Sequence, residues 1–224
     1  MVNAQYNVAK PDSLPVKVAA YQRQKMYALF IERMLPRDHD TILDVGVTSD
    51  RSYDHSNYLE AWYPHKRHLT AVGIDDAKFL EDLYPGLKFF QGDGRDLPFE
   101  ADTFDFVHSS AVLEHVGSEE CQAQFLRELW RVCRKGIFVT TPNRWFPVEF
   151  HTVLPLIHWL PMPMFRAILG KIGKDFFSRE ENLNLMSSGT LTRAAKSAGI
   201  KNFMVTSVPL LGWPTNLILV ATKS

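Results

Sequence analysis

The sequence predicts an α/β domain: a seven-stranded, mostly parallel sheet with helices on both faces and an antiparallel last strand. Two observations predict the parallel part. Short apolar runs recur along the chain, each closed by a glycine or a polar residue, and segments of helical period separate them. A third observation sets the edge: only the turn region 209–214 lies between the last two runs, so they pair antiparallel.

In order, residues 17–35 repeat apolar side chains at helical spacing (Ala19, Tyr27, Phe30, Ile31, Met34) and stop before Pro36. Residues 41–46 form an apolar run closed by glycine, as a buried parallel strand requires. A polar stretch at 48–57 and a helix at 58–63 lead to a second strand at 69–75, completing one βαβ unit. A short helix at 77–83, the Pro85-Gly86 turn and a third strand at 87–91 follow, then a fourth at 103–108. Ser118 caps the next helix, with Glu119 and Glu120 in its first turn and Arg131, Arg134 and Lys135 in its last, matching the helix dipole. Phe125, Leu129, Val132 and Cys133 form its buried stripe, and Gly136 releases the chain into a fifth strand at 137–141. A helix at 189–198 and strands at 203–208 and 216–222 complete the pattern. Residues 1–224 read as one domain, with a helical lead at 1–40 and an insertion rich in proline and aromatics at 142–187.

Composition narrows the function. Lys plus Arg equals Asp plus Glu at 25 each, so no net field gathers a polyanion and no nucleic acid is expected as partner. Cys121 and Cys133, placed in one helix, stand too far apart to pair and fit a reduced, cytoplasmic protein. Asn3, Gln5, Lys10, Pro11 and Asp12 break any apolar leader. Pro155, Pro161 and Pro163 break the apolar stretch at 153–169, so no transmembrane segment is expected there.

Ile42-Leu-Asp-Val-Gly46 and Gly73-Ile-Asp75 are followed in order by Gln91-Gly-Asp-Gly-Arg-Asp-Leu-Pro98 and Phe104-Asp-Phe-Val-His-Ser-Ser-Ala-Val-Leu-Glu-His115. This series resembles the motifs of class I S-adenosylmethionine-dependent methyltransferases, whose fold is Rossmann-like, and its last piece resembles the Leu-Glu-His signature of small-molecule members. The resemblance is close over residues 41–141 and topological elsewhere. It implies S-adenosylmethionine as cofactor and S-adenosylhomocysteine as product. It also implies that Val45, Gly46 and Val47 bring the backbone to the cofactor, and that Asp75, with Asp76 beside it, holds the ribose. Asp93 would accept from the adenine amine, with flexible Gly94 next to it and Arg95 orienting it. Asp44 would hold the amino-acid end, and Ser109 and Ser110 would border the methionine. One departure stands out: Val47-Thr-Ser-Asp50 replaces the family's further glycines. Either hydroxyls and backbone amides serve the cofactor there, or the site has been lost. No G-x-G-x-x-G follows the first strand, which argues against a dinucleotide-binding oxidoreductase.

Displacement at a sulfonium-activated methyl needs orientation, a base where the acceptor is a hydroxyl, and no metal. The candidate bases are His115 and His151, with Glu149 and His158 behind them. Glu149-x-His151 lacks a third ligand in the sequence, so no metal site is expected. Trp145, Phe146, Phe150, Trp159 and Phe165 either wall the acceptor pocket or form the insertion's own core. A helix at 164–172, with Phe165, Ile168, Leu169 and Ile172 on one side, allows weak peripheral membrane contact. The resulting expectation is O-methylation of a small metabolite, sugar or lipid-linked saccharide. The rivals are a non-catalytic methyltransferase-like binding subunit and an RNA or protein methyltransferase. Ser109-Ser-Ala-Val-Leu-Glu is not the Asn-Pro-Pro-Tyr type of many amino-group and base methylators.

Overall fold

A computed structural model describes residues 13–51 and 55–223; the residues read for a leader, Asn3 to Asp12, and the middle of the polar stretch at 48–57 lie outside them. Seven strands form one sheet: β1 (Ile42–Val45), β2 (Leu69–Gly73), β3 (Lys88–Gln91), β4 (Phe104–Ser110), β5 (Cys133–Pro142), β6 (Phe203–Leu210) and β7 (Trp213–Thr222). Their order is β3-β2-β1-β4-β5-β7-β6. The first five run parallel, and β7 lies antiparallel between β5 and β6. The chain reverses its direction of travel between β1 and β4, and a crevice opens at the carboxyl ends of such a switch point.

The helices are α1 (Leu14–Met34), α2 (Tyr58–Trp62), α3 (Phe79–Leu83), α4 (Glu119–Val132), α5 (Met162–Lys171), α6 (Asp175–Ser178) and α7 (Ser188–Ser197). The period-two alternation of each strand divides the core. Leu43, Val45, Val107, Ile137 and Leu219 face α4 and α7. Ile42, Ala71, Phe106, Phe138 and Ile218 face α1, α2 and α3. On α4 the helical spacing of Phe125, Leu126, Leu129 and Val132 buries all four, each contributing about 1.5–3 kcal/mol. Ser118 caps this helix, its hydroxyl accepting from the Cys121 amide at 3.3 Å.

The helix ends earlier than its charges suggest. Cys133 begins β5, so Arg134 and Lys135 are strand residues. Their charges pair with Asp105, at 3.1 Å each, and Lys135 also meets Asp40, so ion pairing under the sheet claimed them in place of the helix dipole.

The insertion leaves and rejoins the sheet at one point, where Asn143 bridges Met186 and the Arg144 amide donates to the Met186 carbonyl at 2.8 Å. Between them it builds a third core from Phe165, Leu169, Phe177, Leu183 and Leu185. This corrects the membrane-facing reading of 164–172: Phe165 and Leu169 are fully buried, and of the segment's large apolar side chains Met164 on α5 and Ile172 just past its end are the half-exposed ones. Among the described residues no helix is long and apolar enough to cross a membrane.

Candidate active site

A cavity of about 700 Å³ opens at the carboxyl edge of β1, β2, β3 and β4, roofed by α1 and the insertion. That size suits a small-ligand site. Of the residues the sequence singles out, Gly46, Val47, Asp93, Arg95, Ser110, His115 and His151 line it. Asp44, Val45, Asp75, Asp76, Gly94 and Ser109 stand outside that lining, each for a definable reason.

Gly46 turns at φ +106°, and a Cβ there would stand 2.1 Å from Cγ2 of Val112, itself a wall residue. Its glycine is therefore demanded by backbone conformation and by the facing turn. The loop that lacks further glycines is held by Asn57, whose side chain accepts from the Thr48 amide at 2.9 Å and donates to the Thr48 carbonyl at 3.0 Å. Side-chain hydrogen bonds thus keep Val47 and Thr48 on the wall. Asn57 was not singled out in the sequence, because its partner lies nine residues away across a loop without periodicity.

Val45 packs in the core. Ser109 is buried, its hydroxyl donating to the Val45 carbonyl at 2.7 Å, whereas Ser110 reaches the wall and shares a hydrogen bond with Thr140 at 2.9 Å. Asp76 is an exposed turn acid accepting from the Lys78 amide at 2.9 Å. Asp75 is half-buried just past β2, next to the wall residue Ile74. Gly94 is explained by packing and not by flexibility, since a Cβ there would come within 2.4 Å of the Phe125 ring. Arg95 grips Asp93 through Nη2 at 2.6 Å and Nε at 3.0 Å, and its amide donates to the same carboxylate at 2.9 Å. These bonds from Arg95, outweighing burial, hold the Asp93 carboxyl below its ordinary range.

Asp44 is drawn away from the cavity by strand register. It pairs with His108 across β1 and β4, so both side chains point under α1 and α2. The His108 ring meets Asp44 through Nδ1 at 2.7 Å and the Tyr58 hydroxyl through Nε2 at 2.8 Å. Burial pushes Asp44 up to about 7, raises Glu60 well above its usual range and lowers His108 to about 4. The Glu60 shift has a consequence for stability. Its folded form keeps a proton that the unfolded chain releases above about 4.5, so this group makes stability fall as pH rises from there. Glu60→Gln removes that dependence. Urea unfolding of both proteins at pH 4.5 and pH 8 should show the variant gaining on the wild type at the higher pH; an equal difference at both would refute the buried protonated acid.

The two candidate bases converge. His115 sits in the 3₁₀ turn after β4 and His151 in the insertion, and their Nε2 atoms face each other at 3.0 Å. Outer partners orient both rings. The Asn182 carbonyl takes the Nδ1 of His115 at 2.7 Å, and Glu149 takes the Nδ1 of His151 at 2.7 Å. Glu149 also accepts from the amide and hydroxyl of Thr152. Burial disfavours the charge of Glu149, yet His151 and these donors hold it down at about 2. Burial likewise opposes a charge on His151, and Glu149 outweighs it, raising the imidazole. Burial and the neighbouring His151 push His115 down to about 3. Glu114, fully buried, accepts from Thr141 with Oε2 at 2.9 Å and turns Oε1 toward the two rings. His158 lies elsewhere, with Nε2 at 2.8 Å from the Phe146 carbonyl. The aromatic residues divide: Phe150 lines the cavity, Phe165 belongs to the insertion's core, and Trp145 and Trp159 pack edge to face at the surface side.

Residues 44–140 match the family model of the methyltransferase domain. The matched stretch, running from β1 to β5, is a methyltransferase domain, and the fold around it is the one seen in S-adenosylmethionine-dependent methyltransferases. That domain is of the transferase type EC 2.1.1. A 70-residue stretch is 39% identical to the Xenopus tropicalis protein named tRNA (carboxymethyluridine(34)-5-O)-methyltransferase alkbh8, a match spanning 30% of this chain and only 11% of that protein. The fold is shared with a SAM-dependent methyltransferase from Aquifex aeolicus at TM-score 0.60 and 15% identity, covering 94% of this chain and 99% of that one. It is shared also with the methyltransferase CalH in complex with S-adenosylhomocysteine, at TM-score 0.61 and 16% identity, over 95% of this chain and 60% of that one.

The residues present fit the methyltransferase cofactor. The wall offers the Asp93 carboxylate for an amine, the Arg23 guanidinium for a carboxylate, the Ser110 and Thr48 hydroxyls, and a floor that a Cβ at Gly46 would force against Val112.

Proposed function

We propose that this methyltransferase acts on a hydroxyl oxygen of a small acceptor: a metabolite, a sugar or a lipid-linked saccharide. The single observation that carries the reading is the His115–His151 pair, polar and nearly buried, in the wall of the cofactor cavity. The cofactor supplies a methyl carbon already activated by its sulfonium. The chain's own work is to orient the two partners and to take one proton. Asp93, set by Arg95, holds the adenine amine, Asp75 holds the ribose, and Arg23 on α1 pairs with the methionine carboxylate. The imidazole pair stands where the acceptor hydroxyl enters beneath the insertion and relays its proton, with Glu149 steadying the charge that results. Residues 142–187, anchored at both ends beside β5, form the acceptor wall.

A second reading, transfer to an RNA nucleoside, draws support from the likeness to the tRNA methyltransferase of Xenopus, whose name also specifies an oxygen. The balanced charge, and Glu180 and Glu181 on the cavity wall, favour the small acceptor, because phosphate contacts need a surplus of cations. Incubation with methyl-tritiated cofactor and three pools, a low-mass metabolite extract, total RNA and protein, separates the readings. Label in the low-mass pool is expected. Label confined to RNA would transfer the assignment to the second reading, and label in none would sink both.

The cofactor half carries its own prediction. Asp75→Ala should weaken S-adenosylhomocysteine binding by about 10- to 100-fold, the loss of hydrogen bonds to a charged acceptor at about 1.5–3 kcal/mol. The denaturation midpoint should stay put. An unchanged dissociation constant would remove the ribose assignment.

A further inference from the structure

We infer that Glu114, His115 and His151 form a binding site for a divalent first-row transition ion, of the zinc or manganese type, at the acceptor end of the cavity. The three ligand atoms lie close together: Nε2 of His115 to Nε2 of His151 at 3.0 Å, Oε1 of Glu114 to these two at 3.7 and 4.0 Å. A point among them lies about 2.1 Å from all three, the bond length of zinc to imidazole or carboxylate.

The surroundings are those of a metal site. Nδ1 of His151 is held by a carboxylate and Nδ1 of His115 by a backbone carbonyl, the outer partners that fix metal-binding imidazoles. The second oxygen of Glu114 is held by Thr141, while Oε1 is buried with no hydrogen-bond partner among the described residues. Because a carbonyl only accepts, Nδ1 of His115 carries its proton, and ionised Glu149 demands the same of His151. Both Nε2 lone pairs then point at each other across 3.0 Å, an arrangement that needs a positive centre between them. A proton satisfies two of the three groups. A divalent ion satisfies all three, including the buried carboxylate oxygen that is otherwise left alone.

Two imidazoles with one carboxylate favour zinc, manganese, iron or cobalt over magnesium and calcium, which prefer oxygen ligands. Three protein ligands leave positions open, and both histidines line the cavity, so those positions look toward the acceptor. The site itself stands on these residues alone. Its use rests on the O-methyl reading given above, with the proton step changed: with the ion bound, both Nε2 atoms are ligands and no longer accept the acceptor's proton, and the ion would hold the acceptor oxygen and lower its pKa instead.

The test uses the whole protein without cofactor or acceptor. After dialysis against EDTA it is titrated with Co²⁺, followed by visible absorbance and by proton release in a pH indicator, then challenged with Zn²⁺. One saturable ion, displaced by Zn²⁺ and releasing about one proton at neutral pH, is expected. His151→Ala should abolish the absorbance, and Glu149→Gln should weaken Co²⁺ by about 10- to 100-fold through its hold on His151. S-adenosylhomocysteine binding reports that each variant is folded. No saturable Co²⁺ signal up to millimolar ion would overturn the site, and so would a signal that survives His151→Ala. Neither result touches the methyl-transfer reading, which the labelling experiment decides separately.

Discussion

Gly46→Ala should cost about 3 kcal/mol or more of folding stability and weaken S-adenosylhomocysteine by about 100-fold, because two penalties meet at one position. The backbone there sits at φ +106°, which a side chain rarely adopts, and the added Cβ would stand 2.1 Å from Cγ2 of Val112. Val112 immediately precedes the 3₁₀ turn Leu113–His115, so the shift that relieves the clash also displaces Glu114 and His115. The two penalties can be separated. Val112→Ala combined with Gly46→Ala removes most of the steric part and leaves the backbone part, so the double variant should recover about half of the lost stability. Urea unfolding and calorimetry on the four proteins of this cycle check it. A tolerated Gly46→Ala, within about 0.5 kcal/mol of wild type, would mean that the turn does not shape the cavity floor.

The second large effect falls on turnover. His151→Ala should lower kcat by about 10²- to 10⁴-fold, the range for loss of a positioned proton-transfer group, while the dissociation constant of S-adenosylhomocysteine changes less than about twofold. Glu149→Gln should lower kcat by less, since an amide oxygen still accepts from Nδ1 of His151 but no longer steadies its charge. Thr152 also loses a carboxylate partner in that variant, so its unfolding midpoint should be read alongside its rate. Steady-state rates on the acceptor found by the labelling experiment give these numbers. Equal losses in rate and in cofactor affinity would make His151 a packing residue of the insertion.

Much of the fold was legible because it is written in local pattern. The strand runs 41–46, 69–75 and 137–141 carry their apolar period and their closing residues within a few positions, and each became a strand. Local pattern does not reach the places where distant partners decide. Asp44 sits in a motif that points to the cofactor, yet its orientation depends on register with His108 sixty-four residues later, and on the helix carrying Tyr58 and Glu60. Arg134 and Lys135 fit a helix terminus by charge, but Asp105 and Asp40 on neighbouring segments drew them into β5. Gly94 is a glycine because of Phe125 on the facing helix, which no local reading supplies.

The site followed the same division. His115 and His151 were each visible as histidines just past strand ends. Their meeting was not, because the insertion that carries His151 back over β4 has no strand period and closes through bridges between residues such as Asn143 and Met186. Glu114 was visible only as the middle of Leu-Glu-His; its burial and its turn toward both rings are products of packing. The glycine-poor loop had an answer in Asn57, whose side-chain amide does by hydrogen bonding what further glycines would do by conformation.

The cofactor cavity is proposed to work although Val47-Thr-Ser-Asp50 stands where further glycines are usual. Calorimetric titration of the purified protein with S-adenosylmethionine and with S-adenosylhomocysteine tests it most directly. Saturable binding of both at about micromolar dissociation constants, near −8 kcal/mol, is the predicted result. No heat from either at millimolar ligand would contradict it and make the chain a binding subunit that keeps the methyltransferase fold without its cofactor.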